Sequence, residues 1–505
     1  MNETKQRKLG VIFSYVSIIV NVVIQLLYTP LLIKKLGSSE YGLYSLIASI
    51  ISYLTILDLG FGNAIIVYTA KYRAQKKYEE EKKLHGMFFR VFLVIGLIAT
   101  ICGLILMLNV DNIFGKTMTS VELEKAKVMM LILSFNLAIT FGFNIYSTII
   151  SAYEKFVFQK IVAIVSAILK PLIMIPMLFL GFKSITMTII ITVVNVLVVF
   201  SNYLYCSKKL NVKVKYSGFD KLIFKEICKY SFLIFLTVIV DKINWSVDQF
   251  ILGAVSGTIS VSLYAAASQI NSMFGSLSTA VSGILLPKVS KMIAKNASDE
   301  AISSEFIKVG RIQYLVIFLM ASGLTLFGKV FFTTWLGEDY ISSYYIAIIL
   351  TLPLCVPLIQ NLGISIMQAK NIHKFRSVLY LVIAIANVII SIPLAKLYGG
   401  IGSALGTALS LIVGNIIIMN IYYYKKVKIN IPKFWLEIFK MTIPMVVPII
   451  AILAIKYFIH LDGYIYLIVF GSIYTFMYMI ICYLFVINDY EKSIINNLLN
   501  RFRRG

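Results

Sequence analysis

Acidic residues are scarce in this chain of 505 residues: 23 Asp and Glu stand against 47 Lys and Arg, and charged residues make up only 14% of it. So little charge excludes an ordinary soluble surface, since soluble domains average about 25% charged residues. The three histidines, His85, His373 and His460, fall on expected loops with no ligand spacing and no nucleophile beside them. The five cysteines (Cys102, Cys206, Cys228, Cys355 and Cys482) form no CxxC pair and lie in or beside apolar stretches. Neither a disulfide framework nor a metal site is expected from them. No GxxxxGK[ST] occurs, which excludes ATP bound by a P-loop, and no motif asks for a cofactor.

What the chain has instead is apolar sequence. It is 59% hydrophobic, and runs of about 20 apolar residues, the length a membrane-spanning helix needs, recur along nearly all of it. The expectation is an all-α polytopic membrane protein with fourteen transmembrane helices. Spans 1–6 are placed at 10–33, 43–69, 88–110, 128–150, 161–181 and 184–206. Spans 7–12 fall at 231–253, 259–286, 312–332, 345–367, 378–398 and 401–424, with a final pair at 441–459 and 464–487. The opening MNETKQRKLG-VIFSYVSIIVNVVIQLLY is basic and then apolar, as in a signal peptide. Its apolar part is too long and lacks a small-residue cleavage site, so it reads as a retained first span. Most Lys and Arg fall in the segments on the N-terminal side of the membrane. That distribution places both termini in the cytoplasm. The basic charge is then topological, and no nucleic-acid partner is expected.

The first twelve spans read as two copies of six, plus two extra helices. Gly37 and Leu43-Tyr44 lie over Gly257 and Leu263-Tyr264, Arg90 over Arg311, Lys155-Phe156 over Lys374-Phe375, and Ile175-Pro176 over Ile392-Pro393. Six spans return the chain to its starting side, so the copies share one orientation and are related by an axis along the membrane normal. This gives an N-terminal lobe at 1–210, a C-terminal lobe at 211–430, and spans 13–14 with a tail at 431–505.

Span 7 breaks the apolar pattern. It carries Asp241, Lys242 and Asp248, and a charge near the middle of a membrane helix costs roughly 2.5–3.5 kcal/mol on insertion scales. Asp241, Asn244, Trp245 and Asp248 share one helical face. At the equivalent places in span 1 stand Asn21, Gln25 and Tyr28, again on one face. By the helical rise of ~1.5 Å, Lys170 in span 5 lies roughly 14 Å deep, and Asp58 in span 2 and Asp241 roughly 17 Å. Lys170 is therefore a partner for Asp58 or Asp241. A structural ion pair and a proton- or sodium-coupled switch at Asp58, Asp241 and Asp248 are both open readings.

Three stretches carry a family resemblance: LIKKLGSSEYGLYSL after span 1, LDLGFGNAII in span 2, and DQFILGAVSGTISVSLYAAASQI at spans 7–8. They resemble the polysaccharide repeat-unit flippases of the O-antigen, capsule and teichuronic type. That family's superfamily also holds the MATE drug antiporters and the lipid II flippases. The resemblance implies a bacterial inner-membrane protein, expected to act as a monomer. Its implied activity is moving an undecaprenyl-diphosphate-linked oligosaccharide from the cytoplasmic to the outer leaflet by alternating access. For the sugar path the candidates are Asn21, Gln25, Asp241, Asn244 and Asp248, with Trp245 and Tyr28 as stacking surfaces. Arg90 and Arg311 are the candidate cations for the diphosphate, and Lys170 is a further substrate-binding candidate. No Arg lies in the interior of a span, which favours a neutral or amino-sugar repeat unit over an acidic one. A cation-coupled MATE-type exporter is the main alternative. A membrane polymerase or ligase is disfavoured because the expected outer loops are short.

Overall fold

Apolar runs of this length fold as helices because the bilayer core offers no partner to a free backbone amide. The computed structural model describes residues 3–212, 220–295, 297–370, 372, 374–459 and 461–493. Among the described residues there are helices and turns and no strand.

The first copy runs through α1 (Glu3–Leu36), α2 (Ser38–Leu54), α3 (Phe61–Ala74), α4 (Tyr78–Leu108) and the short α5 (Val110–Phe114). It continues with α6 (Ser120–Gly142), α7 (Asn144–Ala152), α8 (Phe156–Phe179) and α9 (Ser184–Leu204). The second copy begins with α10 (Lys221–Val255), α11 (Gly257–Ala294) and α12 (Asp299–Leu336). Next come α13 (Ile341–Ile359), α14 (Leu362–Ala369), α15 (Lys374–Leu411) and the single turn α16 (Met419–Tyr422). The last pair is α17 (Ile431–Phe458) and α18 (Gly463–Ile481).

Among the described residues eleven segments are long and apolar enough to cross a membrane. One of them, Phe375–Val427, is two rods meeting at Gly399 (φ 56°), and α10 and α11 also have the length, so the architecture is consistent with fourteen spans.

Three of those spans are not continuous. Span 2 is broken by a 3₁₀ turn at Thr55–Asp58, after which Leu59 (φ 53°) and Gly60 (φ 73°) are left-handed. Span 4 breaks at Phe143 and span 10 at Gln360, each with φ near −100° and ψ near 10°. The apolar periodicity runs through all three, which is why they read as single helices in the sequence.

The repeat recurs in the geometry. Gly37 (φ 84°) and Gly257 (φ 80°) make the same turn into α2 and α11, a backbone region that L-residues with a Cβ avoid. Phe158 stacks on Tyr205 at 3.9 Å and 15°, and Phe375 stacks on Tyr422 at 4.1 Å and 9°. Both stacks adjoin a π-helical turn, Tyr205–Lys209 in one copy and Tyr423–Val427 in the other.

By packing, the chain divides into two compact units, Met1–Ala265 with Val388–Ser403, and Ala266–Asn387 with Ala404–Gly505. In the first, α1 packs on α8, α4 on α6, α6 on α9, α3 on α7, and α10 on α2 and α3. In the second, α12 packs on α13, α17 and α18 around Met445, Ile452 and Phe470, all fully buried. Lipid tails are as apolar as these side chains, so close van der Waals fit and buried hydrogen bonds hold the helices together. The bond between Ser322 Oγ and Tyr474 Oη, 2.5 Å long, is one of the latter.

Candidate functional site

α1, which carries Asn21, Gln25 and Tyr28, packs on α8, the helix of Lys170. Asn21 is exposed and turns its amide back on its own helix, Nδ2 donating to the Ser17 carbonyl at 2.7 Å. Gln25, Tyr28 and Lys170 are half-buried. Among the described residues Lys170 forms no ion pair, so the pairing with Asp58 expected from their common depth is not made.

Asp58 has another partner. Its Oδ1 accepts from Asn144 Nδ2 at 3.1 Å, and the backbone N–H of Gly62 donates to the same carboxylate. The break in span 2 is thereby joined to the break in span 4. Asp58 also stands just ahead of α3, where the dipole of the half-helix favours a negative charge. The second copy builds the corresponding place from neutral groups. Ser278 Oγ donates to the Leu358 carbonyl at 2.8 Å and takes a weaker 3.4 Å bond from Asn361 Nδ2, while Gln313 Nε2 donates to the Ser278 carbonyl at 3.1 Å. Asn144, Ser278, Asn361 and Gln313 are not among the residues the sequence singles out. The glycines of LDLGFGN and the amides placed at two of the helix breaks are the signal that marks them.

Asp248 is 2% exposed. Its carboxylate accepts from Tyr264 Oη at 2.6 Å and from Ser403 Oγ at 2.7 Å, tying α10 to α11 and to the rod after Gly399. In this conformation Asp248 is enclosed by hydroxyls rather than presented to a sugar. The side chains of Asp241, Lys242, Asn244 and Trp245 lie outside the described residues.

The two arginines that the repeat aligns have different surroundings. Arg90 is exposed on α4, with Nε 3.5 Å from the Gly86 carbonyl. Arg311 is 6% exposed. Its Nε and Nη2 donate to Glu491 at 2.8 and 3.1 Å, Nη1 to Glu437 at 3.0 Å, and Nη2 also to the Val486 carbonyl at 3.0 Å. Two carboxylates thus compensate its charge, and the guanidinium anchors α12 to α17 and to the segment after α18. A diphosphate would have to displace both.

Long apolar helices, interrupted where amides and carboxylates bridge the gaps, define a multi-pass membrane protein. Residues 8–293, more than half of the chain, match the family described as polysaccharide biosynthesis protein, and the chain belongs to that family. Its fold is similar to that of "Lipid II flippase MurJ, inward closed conformation", with a TM-score of 0.75 and 21% identity, over 94% of this chain and 98% of that one. An inward-facing MATE multidrug resistance transporter of the MOP superfamily matches with a TM-score of 0.60 and 15% identity, over 79% and 96%. The MATE multidrug transporter DinF-BH matches at 0.59 and 17%, over 84% and 96%. No curated protein sequence matches. The fold is the one that these flippase and transporter structures share.

Proposed function

We propose that this protein moves an undecaprenyl-diphosphate-linked oligosaccharide repeat unit from the cytoplasmic to the outer leaflet of a bacterial inner membrane by alternating access. The observation that carries this reading is hydrogen-bonding and ionisable groups inside membrane-spanning helices of a polysaccharide-biosynthesis chain, foremost Asn21, Gln25 and Tyr28 on α1 and Lys170 on α8, two helices that pack together. A sugar crosses only where such groups replace its water, because each unsatisfied polar group in hydrocarbon costs several kcal/mol. Asn21, Gln25, Tyr28, Asp241, Asn244 and Trp245 are assigned to the sugar path, and Lys170 and Arg90 to the diphosphate. Arg311 is assigned to the fold. Asp58, Asp241 and Asp248 are the candidates for a coupled proton or sodium ion, and the protein acts as a monomer with both termini in the cytoplasm.

The test is depletion of the protein followed by assay of lipid-linked oligosaccharide, which should accumulate on the cytoplasmic leaflet. Unchanged glycolipid with lost resistance to cationic dyes would favour multidrug export instead, a reading that the MATE-like structures keep in view. Within the assigned path, Lys170→Met and Asp241→Asn are each expected to abolish export while the protein inserts at its normal level. Normal export by both would remove these residues from the mechanism.

A further inference from the structure

At the end of the first unit where α1 gives way to α2, one carboxylate gathers donors from three segments. Glu122 Oε1 accepts from Ser39 Oγ at 2.5 Å and from Thr258 Oγ1 at 2.7 Å. Its Oε2 accepts from the backbone N and the hydroxyl of Thr119 at 2.8 and 2.9 Å. Four donors on two oxygens suit an ionised carboxylate, which offers acceptor sites only. Bonds to such a charge are roughly twice as strong as neutral ones.

The placement of these donors is what matters. Ser39 opens α2 and Thr258 opens α11, the second span of each copy, entered through the equivalent turns at Gly37 and Gly257. Glu122 therefore bridges the same point in the two repeats. The second copy has no counterpart acid, since Ser342-Ser343 stands near the equivalent place. The backbones close in as well. A Cβ on Gly42 would fall 1.8 Å from the Thr258 carbonyl oxygen, and Thr117 Oγ1 donates to the Gly253 carbonyl at 2.6 Å. Below this layer Leu46 of α2 is fully buried, and a Cβ on Gly253 of α10 would come within 2.6 Å of it.

Equivalent elements of two repeats that rock against each other must separate at one end when the path opens there. We propose that Glu122 is the latch of the outward end. It holds the starts of spans 2 and 8 together while the path is closed to the outside, and it must release Thr258 before the sugar headgroup can leave. This rests on the alternating-access reading and on the cytoplasmic position of the termini.

The test reads conformation without reference to cargo. In the full-length protein with its five natural cysteines replaced by alanine, Leu46→Cys lies about 10 Å beneath Ser39 by the helical rise. A membrane-impermeant maleimide applied from outside should label it slowly. Thr258→Val removes the bond to Glu122 and the weaker contact with Ser39, and leaves the Thr119–Glu122 cap intact. It should speed labelling about tenfold, the effect of one charge-assisted hydrogen bond on a two-state equilibrium. Glu122→Ala should speed it at least as much, and Glu124→Gln, on the exposed face of the same helix, should leave it unchanged. In a second arm, Ser39→Cys with Thr258→Cys replaces two hydroxyl oxygens 3.4 Å apart. Oxidation should arrest export and reductant should restore it. Labelling indifferent to Thr258→Val, or export indifferent to the disulfide, would make the contact a permanent tie and overturn the latch. Labelling that responds as expected without glycolipid accumulation on depletion would keep the latch and discard the proposed cargo.

Discussion

Arg311 shows how far one side chain's neighbours alter what its position suggests. At the start of span 9, aligned with Arg90, it reads as one of a symmetric pair of cations. In the fold it is clamped by Glu491, Glu437 and the Val486 carbonyl. Replacing Arg311 by Met would strand two carboxylates, and removing one member of a buried pair costs about 3–5 kcal/mol. The expected result is a large fall in the thermal unfolding temperature of the purified protein in detergent. Arg311→Lys should recover only part of it, because an ammonium lacks the planar fork that serves both acids. Lys170 and Asp58 show the same limit of sequence reasoning. Helical rise gives their depth, but depth alone does not say which way each side chain points. Asp58 meets Asn144 instead.

Among the elements, the long rods are legible because a run of about 20 apolar residues has one stable form in a bilayer. The interruptions are only partly so. Gly60 and Gly62 mark the break in span 2, whereas Phe143, at the break in span 4, is an ordinary apolar residue. The two copies solve the same junction with different chemistry, a carboxylate at Asp58 and a hydroxyl at Ser278, and this supplies a clean substitution. Asp58→Ser should keep the junction hydrogen-bonded, as Ser278 does with Asn361, and should insert and fold normally. If Asp58 carries the coupled ion, export by this variant becomes insensitive to collapse of the proton or sodium gradient. Wild-type-like sensitivity would assign the coupling elsewhere.

For the whole molecule, most of the architecture follows from charge placement and the internal repeat. The excess of Lys and Arg on one side predicts that a fluorescent protein fused to the C-terminus is bright and that alkaline phosphatase fused there is inactive. The opposite pattern would invert the transport direction proposed above. The candidate path is less legible than the fold. Its residues are chosen for being polar where lipid is expected, and that criterion also picks out groups such as Asp248, whose carboxylate accepts from hydroxyls on two other helices.

The π-helical turns beside the two aromatic stacks bear on the internal repeat. A π turn is rare and appears mostly as a single-turn bulge inside an α-helix. Of the four such turns among the described residues, these two sit at matching places in both copies, each holding a pair of lysines, Lys208-Lys209 and Lys425-Lys426. Shared placement of so rare a turn is a further structural mark of the internal repeat, beside the paired turns at Gly37 and Gly257.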